Sequence, residues 1–274
     1  MYTVVCENCC NIAPNLSRNL DWLFLSAVIT LDQATAENRS GNQMKRLFQA
    51  ALASVLLAFP VYGNDRPVVV ELFTSQGCSS CPPADEMMDM LAKRDDVIPL
   101  SIHVDYWDYI GWKDEFAEPH NAERQRGYAM AAGRRSVYTP EMIVNGMSDI
   151  VGAKPMELAM AIDRHKTDPV HVSLDLSRSG DQILIEAKAV KAGVGPVSVQ
   201  MLRYQPQRVA RISRGENAGR TIHYVNVTQD WQTLGTWKGD QPLQMMAEAP
   251  GEWPVVVILQ ASDYGAILAA ARLR

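Results

Sequence analysis

Cysteine is scarce here. Of five in the 274-residue chain, Cys6, Cys9 and Cys10 sit at the N-terminus, and only Cys78 and Cys81 lie beyond it. Beyond residue 43 there is no second C-x-x-C, so within that part of the chain the further soft ligands that a thiolate metal site needs are missing. A long basic block is also lacking, and the formal charge is −5, which argues against nucleic acid as a partner. The apolar run Leu47–Phe59 falls short of the ~20 residues that a transmembrane helix needs. Internal repeats and low-complexity tracts are absent. What the chain does have is a 47 % apolar composition, enough to bury a substantial core in one or two domains.

The short apolar run has its own reading. Met44-Lys45-Arg46 precedes it as a basic n-region, and Val61-Tyr62-Gly63 supplies small residues before a cleavage point at Asn64. Residues 44–63 are therefore expected to be a secretory signal peptide, the alternative being an ordinary buried helix. A signal belongs at a chain start, so Met44 is expected to be the initiator and residues 1–43 a non-native extension. The mature chain would be periplasmic or secreted, with no membrane span after signal removal. It would keep two cysteines, and in an oxidising compartment a lone pair is either one disulfide or a redox couple.

That pair stands as Cys78-Ser79-Ser80-Cys81, between the apolar run Val68–Phe73 and a helix-like stretch from Pro83 to Leu91. Two intervening residues allow both sulfurs to lie at a helix N-terminus, where unpaired N–H groups and the helix dipole favour a thiolate. Pro82-Pro83 takes away some of those donors. Three readings stay open: a redox couple, an inert disulfide and half a metal site.

From Pro67 to about Lys166 strands and helices alternate. Strands are expected at Val68–Phe73, Val97–Val104, Glu141–Val144 and Ser148–Val151, the last two joined by an Asn145-Gly146 hairpin turn. Helices are expected after the C-x-x-C, around Glu118–Ala132 and over Pro155–His165. This β-α-β-α-β-β-α order is the thioredoxin arrangement, and Thr139-Pro140 stands where that fold carries a cis-proline. Beyond Thr167 short strands predominate: 171–176, 182–188, 197–203, 220–228 and 253–260. The expected fold is thus α/β, a thioredoxin-like domain over 64–167 followed by a small antiparallel β-sandwich domain over 168–274.

Four segments carry a resemblance: Glu71–Asp85, His103–Asp108, Gly111–Asp114 and Tyr138–Glu141. On them the chain resembles a family of secreted bacterial thioredoxin-like proteins catalogued as a domain of unknown function. The resemblance covers nearly all of 66–274 and implies fold and export more than activity.

The expected site follows from these readings. Cys78 comes first and is the expected nucleophile, with Gly77 before it allowing close approach of a partner; Cys81 resolves the mixed disulfide. Thr139 and Pro140 position the partner chain. Glu71, a carboxylate within an apolar strand, is expected beneath Cys81 to move its proton, unless it sits at a strand edge in water. After the second strand, His103, Asp105, Trp107, Asp108, Trp112 and His120 gather. Asp105 and Trp107 are expected to line a substrate groove. A metal set of His103, Asp105, Asp108 and His120 matches no recognised spacing, so no metal and no cofactor are expected. The expected function is thiol–disulfide exchange with protein thiols or disulfides of the cell envelope. The alternative is a non-catalytic envelope binding module with a structural disulfide.

Overall fold

The computed structural model describes residues 66–274. The expected extension (1–43) and signal segment (44–63) lie outside the described residues. The first half runs β1 (Val68–Thr74), α1 (Pro82–Ala92), β2 (Val97–His103), a short 3-10 turn at Asp108–Ile110, α2 (Pro119–Ala131), β3 (Glu141–Val144), β4 (Ser148–Val151) and α3 (Pro155–Lys166). All three helices open on proline, whose fixed φ suits a first helical position and whose missing N–H would find no partner there. Val144 pairs with Ser148, so the β3–β4 loop has three residues where two were expected; Asn145 and Gly146 both take positive φ in it, and the Met147 N–H donates to Val144 O.

The second half is all strand: β5 (Val172–Ser179), β6 (Gln182–Ala189), β7 (Val197–Arg211), β8 (Thr221–Trp237), β9 (Leu243–Glu248), β10 (Val255–Ala261) and β11 (Ile267–Leu273). These strands overturn the expected fold class. Instead of a thioredoxin-like α/β domain followed by a small β-sandwich, the chain is mostly β and is built on one eight-stranded mixed sheet, in the order β11-β10-β7-β8-β2-β1-β3-β4. Only β5, β6 and β9 form a second, three-stranded sheet.

The junction that merges the halves is β2 against β8, and it has almost no backbone ladder: one parallel pair, Ser101 with Val227. Pro99 helps to explain this. Its carbonyl accepts from Asn226 Nδ2 at 2.8 Å, and N–H and C=O of one strand residue point the same way, so its missing N–H also faces β8. Side chains replace the ladder. The Ser101 hydroxyl donates to Val225 O at 2.7 Å, and the Thr228 hydroxyl to Ser101 O at 3.3 Å.

Burial follows from the layering. β1 and β2 are buried along their whole length, which accounts for their unbroken apolar runs. Val68, Val70 and Leu72 face α1 and α3, packing on Met88, Leu158 and Ile162. Val69 and Phe73 point to the opposite face, with Ala122 and Tyr128 of α2. On β10 the same alternation puts Val256 and Ile258 with the α2 layer, and Val255, Val257 and Leu259 against the three-stranded sheet. Among the described residues, no helix is long and apolar enough to cross a membrane.

Candidate functional site

The parallel pairing of β1 and β2 brings Thr74 opposite His103, so both strands end at one edge of the sheet. From Thr74 the chain turns through Ser75, Gln76 and Gly77. The Cys78 N–H donates to Ser75 O at 3.1 Å and the Gly77 N–H to Ser75 Oγ at 3.1 Å. Cys81 then caps α1 and is joined to Cys78 in a disulfide with Cα atoms 5.4 Å apart. Cys78 is 4 % exposed and Cys81 wholly buried, so Cys78 is the sulfur a partner would reach. The Ser80 hydroxyl lies 3.4 Å from Cys78 Sγ, within reach to donate to it.

The first turn of α1 has little left for a thiolate. Pro82 and Pro83 carry no N–H, and the N–H groups of Ala84 and Asp85 both donate to Cys81 O. The helix offers its dipole there, without free donors.

Asp85 lies one turn beyond Cys81 on the same helix face. It is 3 % exposed, its Oδ1 accepts from the Thr74 hydroxyl at 2.8 Å, and its Oδ2 has no hydrogen-bond partner among the described residues. Burial pushes the carboxyl up to about 7, against the opposing pull of His103 and the Thr74 hydrogen bond. Asp85 also lines a cavity of about 300 Å³ between α1 and the start of β8, with Pro82, Arg220 and His223.

Beside it, His103 Nδ1 and Asp114 Oδ2 are 2.7 Å apart and both fully buried. Asp114 reaches the cysteine loop directly, accepting the Gln76 N–H at 2.8 Å. Burial pushes its carboxyl up, but the charge and hydrogen bond of His103, with the Gln76 and Phe116 N–H donors, hold it below the ordinary range. The His103 ring packs edge-on to Tyr224 at 4.6 Å, and burial drives the Tyr224 phenol well above its usual pKa. Neither His103 Nε2 nor the Tyr224 hydroxyl has a partner among the described residues.

The loop between β7 and β8 closes over this site. The buried Asn217 side chain donates to Gln76 O and to Cys78 O, each at 2.9 Å. Glu216 Oε2 accepts from the Ser79 hydroxyl at 2.6 Å, and Trp112 Nε1 donates to Gln76 Oε1 at 2.8 Å. On the other flank Trp107 Nε1 donates to Thr139 Oγ1 at 2.7 Å, and the Thr139-Pro140 bond is cis. A Cβ on Gly77 would lie 3.2 Å from the Ile110 side chain and 3.3 Å from Trp107 Cβ, so any larger residue would press both back by a few tenths of an ångström. Trp107 thus links Gly77, next to Cys78 in the chain, to Thr139. Asp105 contributes its backbone carbonyl to the turn that leads to Asp108.

Glu71 does not lie beneath Cys81. It alternates with Val70 and Leu72, so it points to the face of β1 away from α1, where Arg124 holds it through Nε at 2.6 Å and Nη2 at 3.2 Å. The Tyr128 hydroxyl donates to its Oε2 at 2.5 Å. Burial pulls the Arg124 guanidinium down, but Glu71 together with Tyr128 and Tyr264 leaves it raised. Of the two buried acids on the cysteine side, Asp114 and Asp85, the one on the cysteine helix is Asp85. Its sequence signal was present, since it stands four residues after Cys81 on a helix. Asp114 stood within a motif already marked, whereas Glu216, Asn217 and Tyr224 gave no signal, arriving from a chain segment more than 130 residues away.

The set His103, Asp105, Asp108 and His120 is not brought together: His103 is committed to Asp114, while His120 pairs with Glu118 at 3.2 Å. Among the described residues no group of three or more His, Cys, Asp or Glu is placed to hold a metal ion.

Comparison with known proteins places this geometry. The chain is similar to a protein of Agrobacterium tumefaciens solved by X-ray crystallography, at 34 % identity, TM-score 0.65, covering 75 % of this chain and 93 % of that one. It is similar in fold alone to HBP35 of Porphyromonas gingivalis, at 15 % identity and TM-score 0.56, covering 76 % of this chain and 74 % of that one. No curated protein matches the sequence. The family model described as a protein of unknown function (DUF1223) matches residues 69–260, which include both cysteines and every strand from β2 to β9, and the chain belongs to that family.

Proposed function

We propose that this protein is an exported thiol–disulfide oxidoreductase that exchanges disulfides with proteins of the cell envelope. The observation that carries this reading is Asp85: a buried carboxyl with one uncommitted oxygen, one helical turn from Cys81 and bordering a cavity. An inert disulfide has no need of an acid that titrates near neutrality beside it. Export rests on the signal-like segment 44–63.

In the oxidising direction a partner thiolate attacks Cys78 Sγ. The Cys78–Cys81 bond breaks, Cys81 leaves as a thiolate, and the Asp85 carboxyl gives it a proton. A second thiolate of the same partner then attacks the partner sulfur of the mixed disulfide. Cys78 leaves, is protonated from solvent, and the partner departs oxidised by two electrons. The reducing direction runs these steps in reverse, with Asp85 as base. Gly77 and Thr139, joined through Trp107, would seat the partner's backbone, while Pro140 brings no competing N–H.

One observation favours the second reading, a binding module with a structural disulfide: Cys78 is only 4 % exposed, and Asn217 ties down its carbonyl. Equilibration of the pair in a glutathione series, read by thiol alkylation, separates the two. A potential of about −120 to −270 mV supports exchange, and one below about −300 mV supports the structural disulfide. As a second readout, Cys81→Ser should accumulate mixed disulfides through Cys78.

A further inference from the structure

Behind the disulfide, three buried polar atoms have no partner among the described residues: Asp85 Oδ2, His103 Nε2 and the Tyr224 hydroxyl. Their residues are neighbours. Thr74 and His103 are register partners on β1 and β2, so their side chains leave the same face of the sheet. The Thr74 hydroxyl holds the Asp85 carboxyl, which sets it beside His103. Tyr224 reaches the same imidazole from β8, edge-on at 4.6 Å. The charges follow this layout. After burial, His103 acts most strongly on Asp85, and Asp85 acts most strongly on Tyr224.

Three unpaired polar atoms in one buried place are rare in a folded protein, because each one is costly. None of the three bonds another, so the groups face one another across a gap. Water fills such gaps where it finds about two to four polar partners, and here there are three. The rest of the His103 ring is already committed. Its Nδ1 lies 2.7 Å from Asp114 Oδ2, and Phe116 packs edge-on at 5.2 Å with nothing to offer Nε2. The titratable groups that face the ring are therefore Asp114 from the loop before α2, Asp85 from α1 and Tyr224 from β8. Asp114 is the one held firmly as a carboxylate.

We infer that His103 poises Asp85 as a proton donor through one internal water, which the Tyr224 hydroxyl also holds. This deepens, and rests on, the reading of Asp85 as the acid that serves Cys81. His103 is charged against the Asp114 carboxylate, and its Nε2–H donates to the water. The water donates in turn to Asp85 Oδ2 and to the Tyr224 oxygen. When Asp85 gives its proton to the Cys81 thiolate, the new carboxylate accepts a hydrogen bond backed by the imidazolium charge. His103 is thus a positioning residue, acting on Cys81 only through Asp85. The phenol keeps its own proton, because burial, with Asp85 and Asp114 nearby, drives it well above its usual range.

The test is made on the intact oxidised protein. Diffraction should show one water within about 3.2 Å of all three atoms. Carbon-13 NMR of labelled aspartate, with the Asp85 signal assigned by Asp85→Asn, should follow the Asp85 titration. His103→Gln keeps a donor for Asp114 and removes the charge, and should move that titration up by at least about half a unit. Tyr224→Phe keeps the ring and deletes the hydroxyl, and should move it in the same direction by less. Its melting temperature gives a further reading: deleting a water-bonded hydroxyl lowers it, whereas deleting an unpaired one leaves it unchanged or raises it. A pocket without that water, an Asp85 titration unmoved by His103→Gln in folded protein, or an undiminished melting temperature in Tyr224→Phe overturns the inference. None of these readouts needs a partner thiol, so they fail independently of thiol exchange, which the glutathione series decides.

Discussion

The Ser79 hydroxyl, midway between the two cysteines, donates to Glu216 Oε2 at 2.6 Å, and the Ser79 N–H points to the same oxygen at 3.4 Å. A carboxylate from the β7–β8 loop is thereby fixed over the dithiol loop. Negative charge close to a forming thiolate raises its pKa and slows its attack. Glu216→Gln keeps the acceptor and removes the charge. In the reduced protein it should lower the Cys78 pKa by about half a unit to one unit, seen as a shift of the pH profile for iodoacetamide alkylation. An unshifted profile would mean that the carboxylate serves only to hold the loop.

Asn217 has a different job in the same loop. Its side-chain amide satisfies the carbonyls of Gln76 and Cys78 inside a buried turn. Asn217→Ala leaves both without that donor, and an unpaired buried polar group costs about 1–3 kcal/mol. A loss of about 2–4 kcal/mol in urea unfolding is therefore expected. Asn217→Asp supplies an acceptor where a donor is needed and should fare no better.

How much of this was legible in the sequence depends on how local the determining contact is. The dithiol at the start of α1, the proline-led helices and the Asn145-Gly146 turn are set by neighbours along the chain, and each was readable. The merging of two halves into one sheet was not. It rests on Ser101, Asn226 and Thr228 replacing a ladder that Pro99 interrupts, and these residues are far apart in sequence. β9 and β11 were missed as well; Leu243–Glu248 and Ile267–Leu273 are short and weakly patterned, and pairing with β6 and β10 makes them strands. Glu71 shows a further limit. A carboxylate in an apolar strand is conspicuous, but period-two alternation alone does not say which face carries the cysteines.

The Glu71–Arg124 pair yields a prediction independent of redox chemistry. Glu71→Gln would leave the guanidinium buried without a counter-charge, and breaking a buried pair in this way typically costs about 3–5 kcal/mol. Glu71→Met combined with Arg124→Met removes both charges, so the double variant should recover part of that loss. A double-mutant cycle by urea unfolding measures the coupling. Since both residues lie on the sheet face away from α1, alkylation of the reduced Cys78 should proceed at the wild-type rate in any variant that folds.

Asp85 links stability to pH with a definite sign. Its carboxyl titrates near 7 in the folded chain, against about 3.9 for a free aspartate. Between those values the folded state holds a proton that the unfolded state has lost, so stability falls as pH rises from about 4 to about 7 and levels off above it. Asp85→Asn stays uncharged throughout and accepts from the Thr74 hydroxyl through its amide oxygen. Relative to the variant, the oxidised wild type should therefore lose ground across that window, by up to about 4 kcal/mol at the top of it. Urea unfolding of both proteins at pH 5, 6, 7 and 8 measures the gap. A gap that does not widen between pH 5 and 7 would mean that Asp85 ionises as an ordinary carboxylate, and would deprive Cys81 of its proton donor. If the gap widens as expected, the rate of Cys81 release from a mixed disulfide should inflect near pH 7 in the wild type, and that inflection should vanish in Asp85→Asn.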